Sequence, residues 1–547
     1  MHLRLNPVCF SLVVVLALSG CALPTQPGAE RDKTYHLTVM HTNDHHGHFW
    51  HNSDDEYGMA ARKTVVDQIR REVAAQGGYT LLLDGGDVNT GVPESDMQDA
   101  VPDFKGMNLL GYQAMAVGNH EFDKPLSVLK MQRSLAQFPL LSANIYENGQ
   151  RMFDAYKVFN LGGLRVGVMG LTTEDTRKMA LPANVEHLDF RSPIQEAAKV
   201  VPELRRQADV VIAATHMGHY ENGQHGNQAE GDVEMARAVS GIDLVVGGHT
   251  QNPACMKAEN VLDRAYVPGT PCQPDRQNGT WIVQAHEWGK YVGRADFEYR
   301  NGEFKLVNYQ LIPINLKKPV KDADGQTTLV NYTSAIAEDP DMLALLTPYQ
   351  KYGQQKLDVQ IGSTDARLEG DRKLVRNQPT NLGVLIARAM MDKTRADLAI
   401  VNAGGVRDAI AAGTITYKDV LKVQPFGNTL CTVDLTGQEL ADYLNAAAKM
   451  MPGAGGFPHF AGVELEMAAG LSSQVRVAGQ ALQMDKTYRL AINNFQASGG
   501  DGYPKLTAHP GFVNTGFVDA DVLRAFISKN SPLKASDFLP GNAVVRR

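Results

Sequence analysis

Residues 35–48 read YHLTVMHTNDHHGH. The opening YHLTVMH is an apolar run of the β type, and the polar loop after it crowds imidazoles together with one carboxylate, Asp44. The same design recurs downstream in YTLLLDGG (79–86), AMAVGNH (114–120), LRVGVMGLT (164–172), ADVVIAATH (208–216) and IDLVVGGH (242–249). Between the first two runs, residues 58–76 space Ala61, Val65, Ile69 and Val73 four apart before Gly77 and Gly78, which predicts an amphipathic helix with a glycine stop. Strand runs alternating with helices predict an α/β layered domain whose strands are largely buried. In such sheets ligands gather beyond the carboxyl ends of the strands. Asp44 and His46 follow the first run, Asp87 the second, Asn119 and His120 the third, His216 the fifth, and His249 with Gln251 the sixth. The histidine loop is therefore expected to form one wall of a shared polar pocket.

At 547 residues the chain is too long for one core, and two domains are expected. A composition of 43% hydrophobic and 21% charged residues is globular. A net charge of −7 argues against a nucleic-acid polymer as partner, while leaving room for a small anionic substrate at a locally positive site. His2 and Arg4 precede an apolar stretch from Val8 to Leu18 that is too short to span a bilayer and reads as a signal peptide. It ends in LSGC, which resembles the lipobox of bacterial lipoproteins. Cleavage before Cys21 would leave that cysteine lipidated, residues 1–20 being the signal and 21–33 a flexible tether. An ordinary signal peptide cut near Ala22 is the alternative. Ala22 after the cysteine resembles lipoproteins sorted to the outer membrane, so an exported, lipid-anchored protein is expected. Export favours disulfides, and Cys255 and Cys272, close in sequence within Pro-rich loops, are the expected pair. Cys431, in the strand-like GNTLCTVDL, is expected to be a buried apolar residue.

The character changes near residue 337. The expected layout is a first domain over 34–337, a connector over 338–360 with a helix at Asp341–Leu357, and a second, smaller α/β domain over 361–547. In the latter, Thr436 and Glu439 have capping-box spacing.

Two carboxylates, three imidazoles and two amide oxygens (Asp44, Asp87, His46, His216, His249, Asn119, Gln251) make a mixed N/O ligand set that suits borderline or hard divalent cations. Taken singly, Asp87 and Asn119 beside glycines are ordinary turn residues. Seven groups exceed what one open catalytic ion needs, so two ions sharing a bridging aspartate are expected. Such a pair, about 3.5–4 Å apart, can hold a hydroxide and clamp both oxygens of an in-line displacement at phosphorus.

In this order, HTNDHHGH, GGDVNTG, GNHEFD, THMGH and GGHTQ resemble the bacterial periplasmic 5′-nucleotidase/UDP-sugar hydrolase family. The resemblance implies a four-layer calcineurin-like metallophosphoesterase domain, a linker helix and a smaller α/β substrate-binding domain. It implies one ion on Asp44, His46, Asp87 and Gln251, with Asp87 bridging to a second on Asn119, His216 and His249. By the same match His120 stabilises the transferring phosphoryl group and Asp123 orients it. His45 and His48 are expected to be supporting or surface residues rather than ligands. The substrate residues implied are Arg372, Arg376, Arg407, Asn428 and Asp501, with Phe426 and Phe495 clamping the base. The implied activity is release of phosphate from nucleoside 5′-monophosphates, and from other 5′-nucleotides and UDP-sugars, supplying nucleosides to the cell. Zn²⁺, Mn²⁺, Co²⁺ or Mg²⁺ would serve, in a monomer whose domains turn about the connector. The competing expectations are a 2′,3′-cyclic-nucleotide phosphodiesterase/3′-nucleotidase and a non-catalytic nucleotide-binding lipoprotein.

Overall fold

Two six-stranded sheets build the N-terminal half. The structure, a computed structural model, describes residues 28–546 apart from 53, 181, 221–228, 322–325, 358, 425–426 and 541–543. The signal peptide, Cys21 and Phe426 thus lie outside the described residues. In the first sheet Tyr35–Thr42, Tyr79–Asp84, Ala114–Ala116 and Leu140–Leu141 run parallel, and Tyr291–Arg300 and Glu303–Pro313 continue it antiparallel. In the second, Leu164–Thr172, Val210–His216, Leu244–Val246 and Thr280–Val283 are parallel, edged by Tyr156–Leu161 and Asp275–Gln277.

The strands read as unbroken apolar runs because both of their faces are covered. Along Val210–His216, Val210, Ile212 and Ala214 enter the core between the sheets, while Val211 and Ala213 pack on Val200, Val201 and Leu204 of the helix Pro193–Arg205. The opposite outer layer is the helix Met59–Ala75, whose Val65, Val66, Ile69 and Val73 are buried. The result is helix, sheet, sheet and helix, the expected four layers. Parallel strands all release their chains at one edge, and there the expected ligands collect.

The connector helix spans Pro340–Leu357 and buries Met342 and Leu346 in the first core. It is docked rather than free: Gly353 sits so close to Glu94 that an added Cβ would lie 2.7 Å from Glu94 Cβ. Beyond it, a five-stranded sheet orders Pro458–Ala461, Leu398–Asn402, Thr487–Asn493, Thr429–Thr436 and Phe512–Val518. Helices Asn381–Thr394 and Asp519–Asn530 cover one face and Gly437–Ala448 the other. The Thr436–Glu439 capping box is present, Cys255 and Cys272 are joined in a disulfide, and Cys431 is buried and free.

Candidate metal centre and cleft

Close backbone contacts lock the strand-end loops together. Asp44 N–H donates to Gly86 O at 2.9 Å and His46 N–H to Asp87 O at 3.0 Å. A Cβ on Gly85 would lie 2.6 Å from Gly247 O, so the loops of the two sheets meet at a distance only glycine permits. Asp44, His46, Asp87, His249 and Gln251 all have positive φ, between 49° and 79°. Non-glycine residues avoid this region at a cost of about 1–3 kcal/mol each where the conformation is strained, and such outliers gather at functional sites.

The tautomers follow from the carbonyls. His46 Nδ1 faces Thr90 O at 2.8 Å and His216 Nδ1 faces Gly85 O at 2.8 Å. Each ring therefore donates through Nδ1 and turns the lone pair of Nε2 inward. His216 Nε2 is 2.9 Å from Asp87 Oδ2 and 3.2 Å from His249 Nδ1, and His46 Nε2 is 2.7 Å from the Gln251 amide and 3.8 Å from Asp44 Oδ1. Asn119 Oδ1 is buried without a hydrogen-bond partner. Imidazole nitrogens and carboxylate oxygens facing one another, with an orphaned amide oxygen beside them, are what a cation site offers, so this donor set fits divalent metal ions; the Gln251 amide presents its nitrogen to His46 and would offer its oxygen to a cation on turning over. Two groups have ligand atoms within 4.8 Å of one another: Asp87, His216 and His249, and His46, Asp87 and His120. Asp87 belongs to both, as a bridging residue would.

The charges point the same way. Burial pushes His216 down, but the Asp87 and Asp44 carboxylates outweigh it and raise the ring to about 9, so Nε2 holds a proton toward Asp87 unless a cation takes that proton's place. Burial alone would raise Asp87, yet His216, His120 and His46 hold it well below the carboxylate range. Burial lifts Asp44 to about 7. The site asks for positive charge at its centre.

His120 stands at the mouth. Its Nδ1 is 2.7 Å from Asp123 Oδ2, while Nε2 is 3.9 Å from Asp87 Oδ2. Burial opposes its charge, but the Asp123 and Asp87 carboxylates raise it to about 10. His45 is buried rather than superficial: its Nε2 meets Asp103 Oδ1 at 2.9 Å and its Nδ1 lies 3.3 Å from the buried guanidinium of Arg62. Nor is His48 a ligand, for its ring stacks on Trp288 at 4.5 Å. One residue with a direct part in the site has no place among the expected ligands. Glu121 is buried and accepts the N–H groups of Val88 (2.8 Å), Asp87 (3.1 Å) and Gly118 (2.6 Å), clamping the Asp87 loop to the Asn119 loop. Its only signal in the sequence is an acidic residue between His120 and Phe122 in GNHEFD.

The C-terminal candidates form a second cluster. Burial, joined by the charges of Arg372 and Arg407, holds Arg376 below its ordinary value, and Asp501 opposes them. Asp501 Oδ2 accepts from Asn402 Nδ2 at 2.8 Å, at the end of the Leu398–Asn402 strand. Phe495 follows the strand Thr487–Asn493 and is 43% exposed. None of Arg372, Arg376, Arg407, Phe495 and Asp501 lines the cleft beside the metal residues. A cleft of about 740 Å³ separates the halves, and its C-terminal wall is Leu421, Gly427, Asn428, Thr429, Asn494 and Asn514. Of the expected substrate residues that are described, Asn428 alone lines it.

Residues 37–253 match the family described as calcineurin-like phosphoesterase, and residues 360–508 the family described as 5′-nucleotidase, C-terminal domain. The chain is 56% identical over 550 residues to Protein UshA of Escherichia coli (strain K12), with 100% of each covered. It is 54% identical over 543 residues to the 5′-nucleotidase of Vibrio cholerae serotype O1, with 98% of each covered. A solved 5′-nucleotidase precursor from Thermus thermophilus superposes with TM-score 0.55 at 30% identity, covering 94% of this chain and 99% of that one. The Haemophilus influenzae NAD nucleotidase gives TM-score 0.72 at 22% identity, covering 94% and 100%, a likeness of fold alone.

Proposed function

The chain belongs to the 5′-nucleotidase family in which a calcineurin-like phosphoesterase domain precedes a 5′-nucleotidase C-terminal domain, and from that premise we propose that it hydrolyses nucleoside 5′-monophosphates to nucleoside and phosphate, with UDP-sugars as further substrates. The observation that carries this reading is the meeting of inward lone pairs from His46 and His216 around the shared Asp87 carboxylate. Asp44, His46, Asp87 and Gln251 would hold one cation, and Asp87, Asn119, His216 and His249 another; Zn²⁺, Mn²⁺, Co²⁺ or Mg²⁺ all suit these donors. When bound, divalent cations supply Lewis acidity, easing deprotonation of water and neutralising charge on phosphoryl oxygens.

The chain's own residues do the rest. With Nδ1 held by Asp123, His120 keeps a proton on Nε2, where it can donate to the oxygen that gains charge at phosphorus. Phe495 offers a face to the base, Asp501 accepts from ribose hydroxyls, and Arg372, Arg376 and Arg407 offer guanidinium forks to oxyanions. Since Phe495 and the arginines lie off the cleft, loading requires the second domain to turn about residues 338–360.

Phosphate release after chelation, with single metals restored, tests the reading. AMP should exceed 3′-AMP and 2′,3′-cyclic AMP, and UDP-glucose should be cleaved. Faster turnover of the cyclic nucleotide would favour the phosphodiesterase, and inactivity with every metal would leave a binding protein. The exported, lipid-anchored state is proposed from LSGC alone; Cys21→Ala should shift the protein from the outer-membrane fraction to the soluble one.

A further inference from the structure

Arg62, on the helix Met59–Ala75, is the largest fully buried side chain among the described residues. It makes no ion pair with any described carboxylate, and its Nε has no hydrogen-bond partner. A buried guanidinium without a carboxylate is costly, so its place in the fold needs a reason. What it touches is the back of the loop that carries Asp44 and His46. Nη2 reaches His45 Nδ1 at 3.3 Å and Trp288 O at 3.4 Å, and Nη1 reaches the Tyr112 hydroxyl at 3.5 Å.

Each of these three acceptors leads to the same loop. His45 stands between Asp44 and His46 in the chain. Trp288 N–H donates to Asp44 O at 2.7 Å. The Tyr112 hydroxyl is 2.6 Å from that of Thr42, which donates to Asp84 and closes the strand from which the loop springs. With Nδ1 accepting from Arg62, the His45 ring donates through Nε2 to Asp103 Oδ1 at 2.9 Å, and Ser95 holds the other Asp103 oxygen. A Cβ on Gly289 would lie 1.5 Å from Arg62 Nη2, so the chain after Trp288 passes the guanidinium at a distance only glycine permits. The hydrogen bonds of Arg62 thus all end on the Asp44–His46 side, whereas Asn119 and His216 stand on other loops, His216 being held by Gly85 O.

We propose that Arg62 is a positioning residue for the cation of Asp44 and His46. Through His45, the Trp288 carbonyl and Tyr112 it fixes the left-handed backbone, φ 51° at Asp44 and 49° at His46, that turns both ligands inward. The proposal rests on the two-cation reading of the metal centre.

The test uses the full chain, stripped of metal and titrated with Mn²⁺ alone, by calorimetry and elemental analysis. Gln251→Ala marks the first cation and Asn119→Ala the second. Arg62→Met keeps the length of the side chain without its donors, and should weaken the cation marked by Gln251→Ala about 10–100-fold, leaving the other unchanged. His45→Gln keeps a donor for Asp103 and gives up the acceptor for Arg62; it should weaken the same cation about threefold, as loss of one hydrogen bond implies. Arg70→Met is the control on the same helix, its guanidinium serving Leu110 O and Gly111 O instead, and should bind both cations as the parent does. Equal weakening of the two cations, or as large a loss in Arg70→Met, overturns the proposal. A parent that binds two cations, with Arg62→Met and His45→Gln matching it at both, overturns it and leaves the metal centre standing. A parent that binds fewer than two overturns the two-cation reading and the proposal with it.

Discussion

Asp87 and Glu121 divide one task between them. Asp87 offers the shared carboxylate, and Glu121 fixes the loop that aims it by accepting the N–H groups of residues 87, 88 and 118. Asp87→Ala should abolish phosphate release and reduce bound metal, read by elemental analysis; undiminished release would overturn the metal assignment. Glu121→Gln keeps the shape but turns an NH₂ toward backbone donors. It should cost roughly 10–100-fold in metal affinity or activity, as loss of a ligand-supporting group does. Full metal content with full activity in that variant would reduce Glu121 to a packing residue. Asp87 was legible because it follows an apolar run, as every expected ligand does. Glu121 was not, because its partners are main-chain N–H groups, two of them 34 and 33 residues upstream, which leave no mark on side-chain spacing. His45 was hidden in the same way: the carboxylate that holds it, Asp103, is far away in the chain.

The strands and helices themselves were legible from period and punctuation. A run covered on both faces must be apolar throughout, which is how Val210–His216 reads. The same burial traps polar groups inside strands. His41 ends the first run with no exposed surface, and its Nδ1 has no partner. Burial pushes it down to about 3, and pushes His459, on the strand Pro458–Ala461, down to about 4. In the unfolded chain both rings take a proton near pH 6.5. Below that pH the unfolded state binds more protons at these two rings, so their contribution to stability falls as pH drops toward 4 and is flat above about 7. His41→Phe should remove its share. Between pH 7 and pH 4.5 the variant should lose on the order of 2 kcal/mol less than the parent, read from urea midpoints at the two pH values. Equal losses in the two proteins would mean that this ring is charged in the folded state.

How the halves sit across the cleft was the part the sequence withheld. Each half has its own core, and periodicity within a core says nothing about contacts between cores. Those contacts include Gly516 against the Asp123 carboxylate and the Arg524 guanidinium, which reaches Met97 Sδ at 3.8 Å. In this arrangement His46 and His120 open onto the cleft while Phe495 is not among its lining residues. A small aryl phosphate needs only the metal centre, whereas a nucleotide needs both halves turned together. Joining Met97→Cys to Arg524→Cys with a short bis-maleimide would hold the halves as they are. Cys431 is buried and Cys255 is paired with Cys272, so the new thiols are the reactive ones among the described cysteines. The cross-linked protein should keep its metal and its turnover of p-nitrophenyl phosphate, yet lose most of its turnover of AMP and UMP. Each single-cysteine variant treated with the same reagent should keep both activities. If the locked protein hydrolyses AMP at the parent rate, the arrangement with Asn428 and Asn494 facing the metals is itself the productive one. Base and ribose would then be read by those amides rather than by Phe495 and Asp501.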